Sequence, residues 1–188
     1  MSFTKLNDDD KQALLDIAKS SIQHGFKNQN PLPLSLNDYS PLLNEYGASF
    51  VTLNLNNQLR GCIGTLVAFQ PLVIDISEHA YAAAFKDTRF SPLTENEFEK
   101  LQVHISVLTN STAIDFSDEE DLLRQLQPGV DGLILQAGVH RATFLPSIWE
   151  QLPAPKDFLN HLKIKAGLDE HYWGKNIDVS RYQAISFS

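Results

Sequence analysis

The chain has almost no cysteine: a single thiol, Cys62, in 188 residues. That excludes an internal disulfide framework and suits a reducing compartment. Positive charge is also scarce. Fifteen Lys and Arg stand against 23 Asp and Glu, a formal net charge of −8. No Arg- or Lys-rich run offsets this balance, so direct nucleic-acid binding is not expected. No apolar stretch approaches the ~20 residues of a membrane-crossing helix. Met1-Ser2-Phe3-Thr4-Lys5-Leu6-Asn7 carries no apolar signal core. The expectation is a cytoplasmic protein without membrane contact. Motifs are missing as well: there is no C-x-x-C, G-x-G-x-x-G, Walker A loop or G-x-S-x-G. His24, His79, His104, His140, His161 and His171 form no H-x-H, H-x-x-x-H or H-E-x-x-H. No metal site and no cofactor are therefore expected.

What is present suffices for a folded core. Hydrophobic residues make up 43% of the chain, and the length fits one domain over residues 1–188. Leu14, Ile17, Ala18 and Ile22 share one face of a predicted helix from Asp8 to about Gly25, with Gly25 placed to end it. A loop rich in Asn and Pro follows, over 28–41. Ala48–Leu55 and Gln58–Leu66 read as two strands of a hairpin around Asn56-Asn57. Pro71 suits the start of a helix running to about Phe85. Thr94 and Glu97 have capping-box spacing, as do Ser117 and Glu120 before a helix to about Gln127. Val103–Val107 alternates as a half-buried strand. Gly132–Gln136 and His140–Leu145 read as a second hairpin, Asp157–Ala166 as a helix, and Asp178–Phe187 as a final strand. Trp149 with its apolar neighbours, and Tyr172-Trp173, read as core. Strands and helices mix without βαβ alternation, which gives an α+β fold with a mostly antiparallel sheet flanked by helices.

The most informative segment is Leu59-Arg60-Gly61-Cys62-Ile63-Gly64-Thr65. On a regular strand Leu59, Ile63 and Thr65 face the core, while Arg60 and Cys62 share the other face. A guanidinium then sits beside the thiol and favours the reactive thiolate. Gly61 and Gly64 leave room for a ligand to approach. A lone intracellular cysteine is also an ordinary small buried hydrophobe. As a nucleophile it needs a base from elsewhere in the chain. His104, on the second face of its strand, is the candidate base, with Glu78 and the adjacent His79 as alternatives. Asp87 and Arg89 lie in a loop between two helices. There Arg89 can clamp a carboxylate or phosphate, or simply pair with Asp87 at the surface.

These residues resemble a known family. Leu59-Arg60-Gly61-Cys62-Ile63-Gly64 matches the signature hexapeptide of the AMMECR domain family, whose bacterial and archaeal members are also called AmmeMemoRadiSam system protein A. Asp87-Thr88-Arg89-Phe90-Ser91-Pro92-Leu93 resembles its D-x-R-F-x-P-L loop, and His104-Ile105-Ser106-Val107-Leu108-Thr109 its central strand. Gly129-Val130-Asp131-Gly132, Arg141-Ala142-Thr143-Phe144-Leu145-Pro146, Trp149-Glu150-Gln151-Leu152-Pro153 and Lys165-Ala166-Gly167-Leu168 continue the order. Asn110 departs from it, standing where members often carry proline. The resemblance implies a larger and a smaller lobe, with a cleft near the cysteine strand. It implies a module that elsewhere accompanies Memo-like and radical-SAM proteins. It supplies no reaction. Two functions are open: an enzyme, with Cys62, Arg60, His104 and Glu78 catalytic and Arg89, Asp87, Gly61 and Gly64 holding an unknown small-molecule or macromolecular substrate; or a binding or scaffold module that grips a peptide, small anion or partner protein.

Overall fold

The computed structural model describes residues 3–174 and 176–188. Helix α1 (Asp8–Asn28) forms where Leu14, Ile17, Ala18 and Ile22 recur on one face, and all four are buried. Asn7 opens it with a capping box, its Oδ1 accepting from Asp10 N at 2.8 Å. The helix continues past Gly25, which does not terminate it. Gln29 ends it in the left-handed conformation, at φ 57°. Gly25 is instead a point of close packing, where a Cβ would strike the rings of Phe85 and Tyr81. Those rings belong to α2 (Leu72–Phe85). A short α3 (Glu95–Phe98) starts at Thr94 with the capping box its spacing predicts.

Strands β1 (Tyr46–Leu55) and β2 (Gln58–Gly64) form the predicted antiparallel hairpin. Asn56 and Asn57 both take positive φ, 53° and 61°, as a two-residue hairpin turn requires. The short β3 (Gln70–Pro71) joins the start of β1. β4 (Leu101–Leu108) lies on the far side of β1, and β9 (Ala184–Phe187) completes the order β2-β1-β4-β9. Ser49, Val51 and Leu53 of β1 and Val103, Ile105 and Val107 of β4 face the core that α1 and α2 cover. The other face of the sheet carries Phe50, Thr52, His104 and Ser106, all partly buried.

A second sheet has the order β5-β8-β6-β7, built from β5 (Thr112–Ala113), β6 (Gly132–Ala137), β7 (His140–Phe144) and β8 (Ile177–Tyr182). It packs with α4 (Glu119–Gln125) and α5 (Pro155–Lys165) around Leu122, Leu133, Leu135, Phe158 and Leu162. Trp149 is core, as expected: its ring stacks on Phe158 with centroids 3.8 Å apart, and its Nε1 donates to Asp131 O at 2.7 Å. Two expectations fail here. The cap of α4 is Asp118, which has the extended backbone of an N-cap and accepts from Asp121 N at 2.8 Å. The final strand is two: β8 pairs with β6 and β5, and after Gln183 the chain passes to β4 as β9.

The chain forms two compact units, one up to Leu108 together with Ile185–Ser188 and the other Thr109–Ala184. The architecture is α+β with antiparallel sheets, and among the described residues no helix is long and apolar enough to cross a membrane.

Candidate functional site

Cys62 sits in the first unit on β2, the edge strand. Its side chain lies on the sheet face away from the helices, in a cross-strand row: Cys62 faces Thr52, and Thr52 faces His104. Thr52 Oγ1 donates to Cys62 Sγ at 3.2 Å. The thiol itself is partly buried. One strand separates β2 from β4, which puts the Cys62 and His104 backbones roughly 10 Å apart. His104 therefore shares the face with Cys62 but is not in direct contact across β1.

The hairpin register slips by one residue. Leu53 pairs with Gly61, yet Asn54 pairs with Leu59, so Arg60 is an extra residue in a β-bulge. The bulge breaks the alternation that would set Arg60 beside Cys62 and Leu59 with Ile63. Leu59 moves to the face of Thr52 and is 46% exposed. Arg60 turns to α3, where Nε donates to Glu97 Oε1 at 2.8 Å and Nη2 to Glu97 Oε2 at 3.1 Å. The same Glu97 accepts from Thr94 N, which closes the capping box. The Arg60 guanidinium holds the Glu97 carboxyl down at about 2, against an ordinary 4.5.

The cation on the Cys62 backbone is Arg89. Asp87 is buried and accepts from Cys62 N at 2.9 Å, while Arg89 Nη2 donates to Cys62 O at 3.0 Å. Arg89 Nε and Nη2 also bind Asp87, at 2.9 and 2.6 Å. The pair thus satisfies the N–H and C=O that Cys62 turns away from β1, as a further strand would. Hydrogen bonds from Arg89 hold the Asp87 carboxyl well below its usual range. In return Asp87, and more weakly the Cys62 side chain, hold the Arg89 guanidinium protonated above its ordinary value. The Arg89 side chain remains 55% exposed. Phe90 lies between the two arginines, its ring centroid 5.5 Å from Arg89 Cζ and 5.9 Å from Arg60 Cζ.

The family model AMMECR1 matches residues 15–187. The chain belongs to the AMMECR1 family. Protein SSO0193 of Saccharolobus solfataricus is 35% identical over 198 residues, covering all of this chain and 85% of its own length. Protein LS215_2104 of Saccharolobus islandicus is 34% identical with the same coverage. A crystal structure of an uncharacterized protein, PH0010, from Pyrococcus horikoshii superposes with a TM-score of 0.87 at 31% identity, covering 97% of this chain and 92% of that one. These names state no activity, so the chemistry of this AMMECR1 domain has to come from its site.

The remaining candidates lie elsewhere. Neither glycine leaves open space for a ligand. A Cβ on Gly61 would collide with Ala83 O of α2, and one on Gly64 with the Phe50 ring and Ser49 O. Both glycines serve packing. Glu78 is exposed on α2, accepts from Gln70 Nε2 at 2.9 Å and lines a cavity with His24 and Pro31. It does not join Cys62. His79 lies on the helix side of the sheet, its Nδ1 3.1 Å from Oδ2 of buried Asp75, which accepts from Ser49 Oγ at 2.6 Å. Among the described residues no three His, Cys, Asp or Glu side chains gather as a metal site. Thr52, Glu97 and Phe90 are the site neighbours that sequence reasoning missed. In the sequence Glu97 signals only a helix cap, and Thr52 carries no local motif.

Proposed function

We propose that this AMMECR1 domain is a thiol-dependent enzyme acting on an anionic substrate, with Cys62 as the reacting group. The observation that carries this reading is the Asp87–Arg89 clamp, which fixes a half-exposed guanidinium on the backbone of a partly exposed cysteine. A fixed Arg binds a carboxylate or phosphate with defined geometry. In the step proposed, the thiol proton passes to water and Sγ forms a bond to an electrophilic carbon of the substrate. The leaving group departs with the electron pair and collects a proton. Thr52 positions Sγ. His104, across Thr52, handles protons through that hydroxyl or a water. Asp87 is a positioning residue for Arg89. A cytoplasmic, reducing setting keeps Cys62 as a thiol, and a Memo-like or radical-SAM protein is the proposed source or acceptor of the transferred group.

A second reading has its own support. The N–H, C=O and Sγ of Cys62 are all engaged within the unit. This favours a binding module in which Cys62 packs and Arg89 alone grips the anion. Alkylation of the native protein separates the two, because Cys62 is the only thiol. The enzyme reading expects reaction in the folded state, with iodoacetate favoured over iodoacetamide relative to free cysteine. Arg89→Gln should abolish that preference. Alkylation only after unfolding overturns the enzyme reading and leaves the binding module.

A further inference from the structure

The second unit contains a cavity of about 440 Å³, lined by Asp115, Phe116, Ser117, Trp173 and Asp178 among others. The volume falls within the ~300–1,000 Å³ usual for small-ligand sites. Its walls are of two kinds. Phe116 and Trp173 supply aromatic rings, with centroids 5.6 Å apart and planes inclined at 53°. Asp115 and Asp178 supply carboxylates. The acids around them are already engaged: Asp118 caps α4, Asp121 accepts from Ser117 N, and Glu119 pairs with Lys163 and Lys156. Asp115 and Asp178 have no side-chain partner of this kind among the described residues.

Aromatic faces together with carboxylates suit one class of ligand. The rings attract a cation through their quadrupoles, and a substituted ammonium gives up little hydration to reach them. The carboxylates add charge attraction and repel anions. Lys163 Nζ lies 5.4 Å from the Trp173 ring centroid, and its charge is balanced within the fold by Glu119.

We propose that this cavity binds a substituted ammonium group of about the size of choline's head. The group is carried either by a small molecule or by a methylated lysine of a protein. The site is in the other unit from Cys62 and does not depend on the thiol chemistry.

The protein has two tryptophans, so isotope-labelled protein gives two indole N–H signals. Trp149 is buried and donates to Asp131 O, which makes it the internal reference for folding. Trp173 is assigned by the signal lost in Trp173→Phe. One arm titrates choline chloride against sodium chloride at equal ionic strength. The other titrates a short peptide with one trimethylated lysine against its unmodified form. The expected result is a saturable shift of the Trp173 signal in at least one arm, with Trp149 unmoved and sodium chloride without effect. The double variant Asp115→Asn/Asp178→Asn should bind on the order of ten-fold more weakly while keeping the Trp149 signal, as expected from losing two charges facing a bound cation. Tighter binding of the peptide identifies a protein source, and tighter binding of choline a small molecule. The proposal is overturned if neither arm saturates, if sodium chloride gives an equal shift, or if the double variant binds as well as the parent.

Discussion

Arg60 and Arg89 are both motif arginines near one cysteine, yet their side chains are committed differently. Arg60 is spent on Glu97, with its side chain only 12% exposed, whereas Arg89 keeps an exposed face beside the thiol. Their substitutions should separate accordingly. Arg60→Gln removes a bidentate, largely buried ion pair and should cost about 2 kcal/mol in urea unfolding, while leaving the native alkylation rate of Cys62 unchanged. A large change in that rate would return Arg60 to the thiol site. The two-residue spacing was legible in the sequence. Its geometry was not. Alternation places Arg60 beside Cys62 only on an unbroken strand, and a one-residue bulge leaves no mark in composition or period. Asp87 and Arg89 were legible as a pair. Their grip on Cys62 was not, since it joins residues 25 and 27 positions apart.

At the scale of elements, local chemistry was the readable part. The capping box at Thr94, the hairpin at Asn56-Asn57, and strands β1, β4 and β6 follow from turn residues and alternation. What failed depended on distant partners. Gly25 looks like a helix terminator until the α2 rings occupy its place, and the C-terminal strand divides because its halves pair with different sheets. Gly61 belongs to the same class. Its hydrogen faces the carbonyl of Ala83, so β2 and α2 touch backbone to backbone. Gly61→Ala must push α2 away or distort the bulge, and should cost about 2–3 kcal/mol by overpacking. Thermal melting tests this. An unchanged melting temperature would mean that the gap at Gly61 can open freely, and would restore it as space for a ligand.

Across the whole molecule, ionisable groups set a window of stability in pH. The carboxyls of Asp87 and Glu97 in the first unit, and of Glu119 and Asp121 in the second, are all held below their ordinary values. For Glu119, burial alone would raise it, and Lys163 and Lys156 outweigh that. For Asp121, the Ser117 backbone N–H and Arg124 lower it. A lowered carboxyl stabilises the folded state fully above its unfolded value and loses that contribution as pH falls toward its folded one. For Glu97 the window runs from 4.5 down to about 2. On the alkaline side burial pushes Tyr182 up to about 12 from 10, and burial together with Asp38 also raises Tyr39. The Tyr182 hydroxyl donates to Phe144 O at 3.1 Å and meets Thr143 Oγ1 at 3.0 Å. The folded state therefore holds that proton more tightly than the unfolded chain, and stability drains as pH rises from 10 toward about 12. The contribution of these groups is level between about pH 5 and 9, where none of them changes charge, and falls away on both sides. Glu97→Gln should lower the plateau in melting temperature and make the acid limb shallower, because one of the four lowered carboxyls then has no proton to gain there. Tyr182→Phe should make the alkaline limb shallower and leave the acid limb unchanged. An acid limb as steep in Glu97→Gln as in the parent would show that the Arg60–Glu97 pair is not what the falling pH breaks.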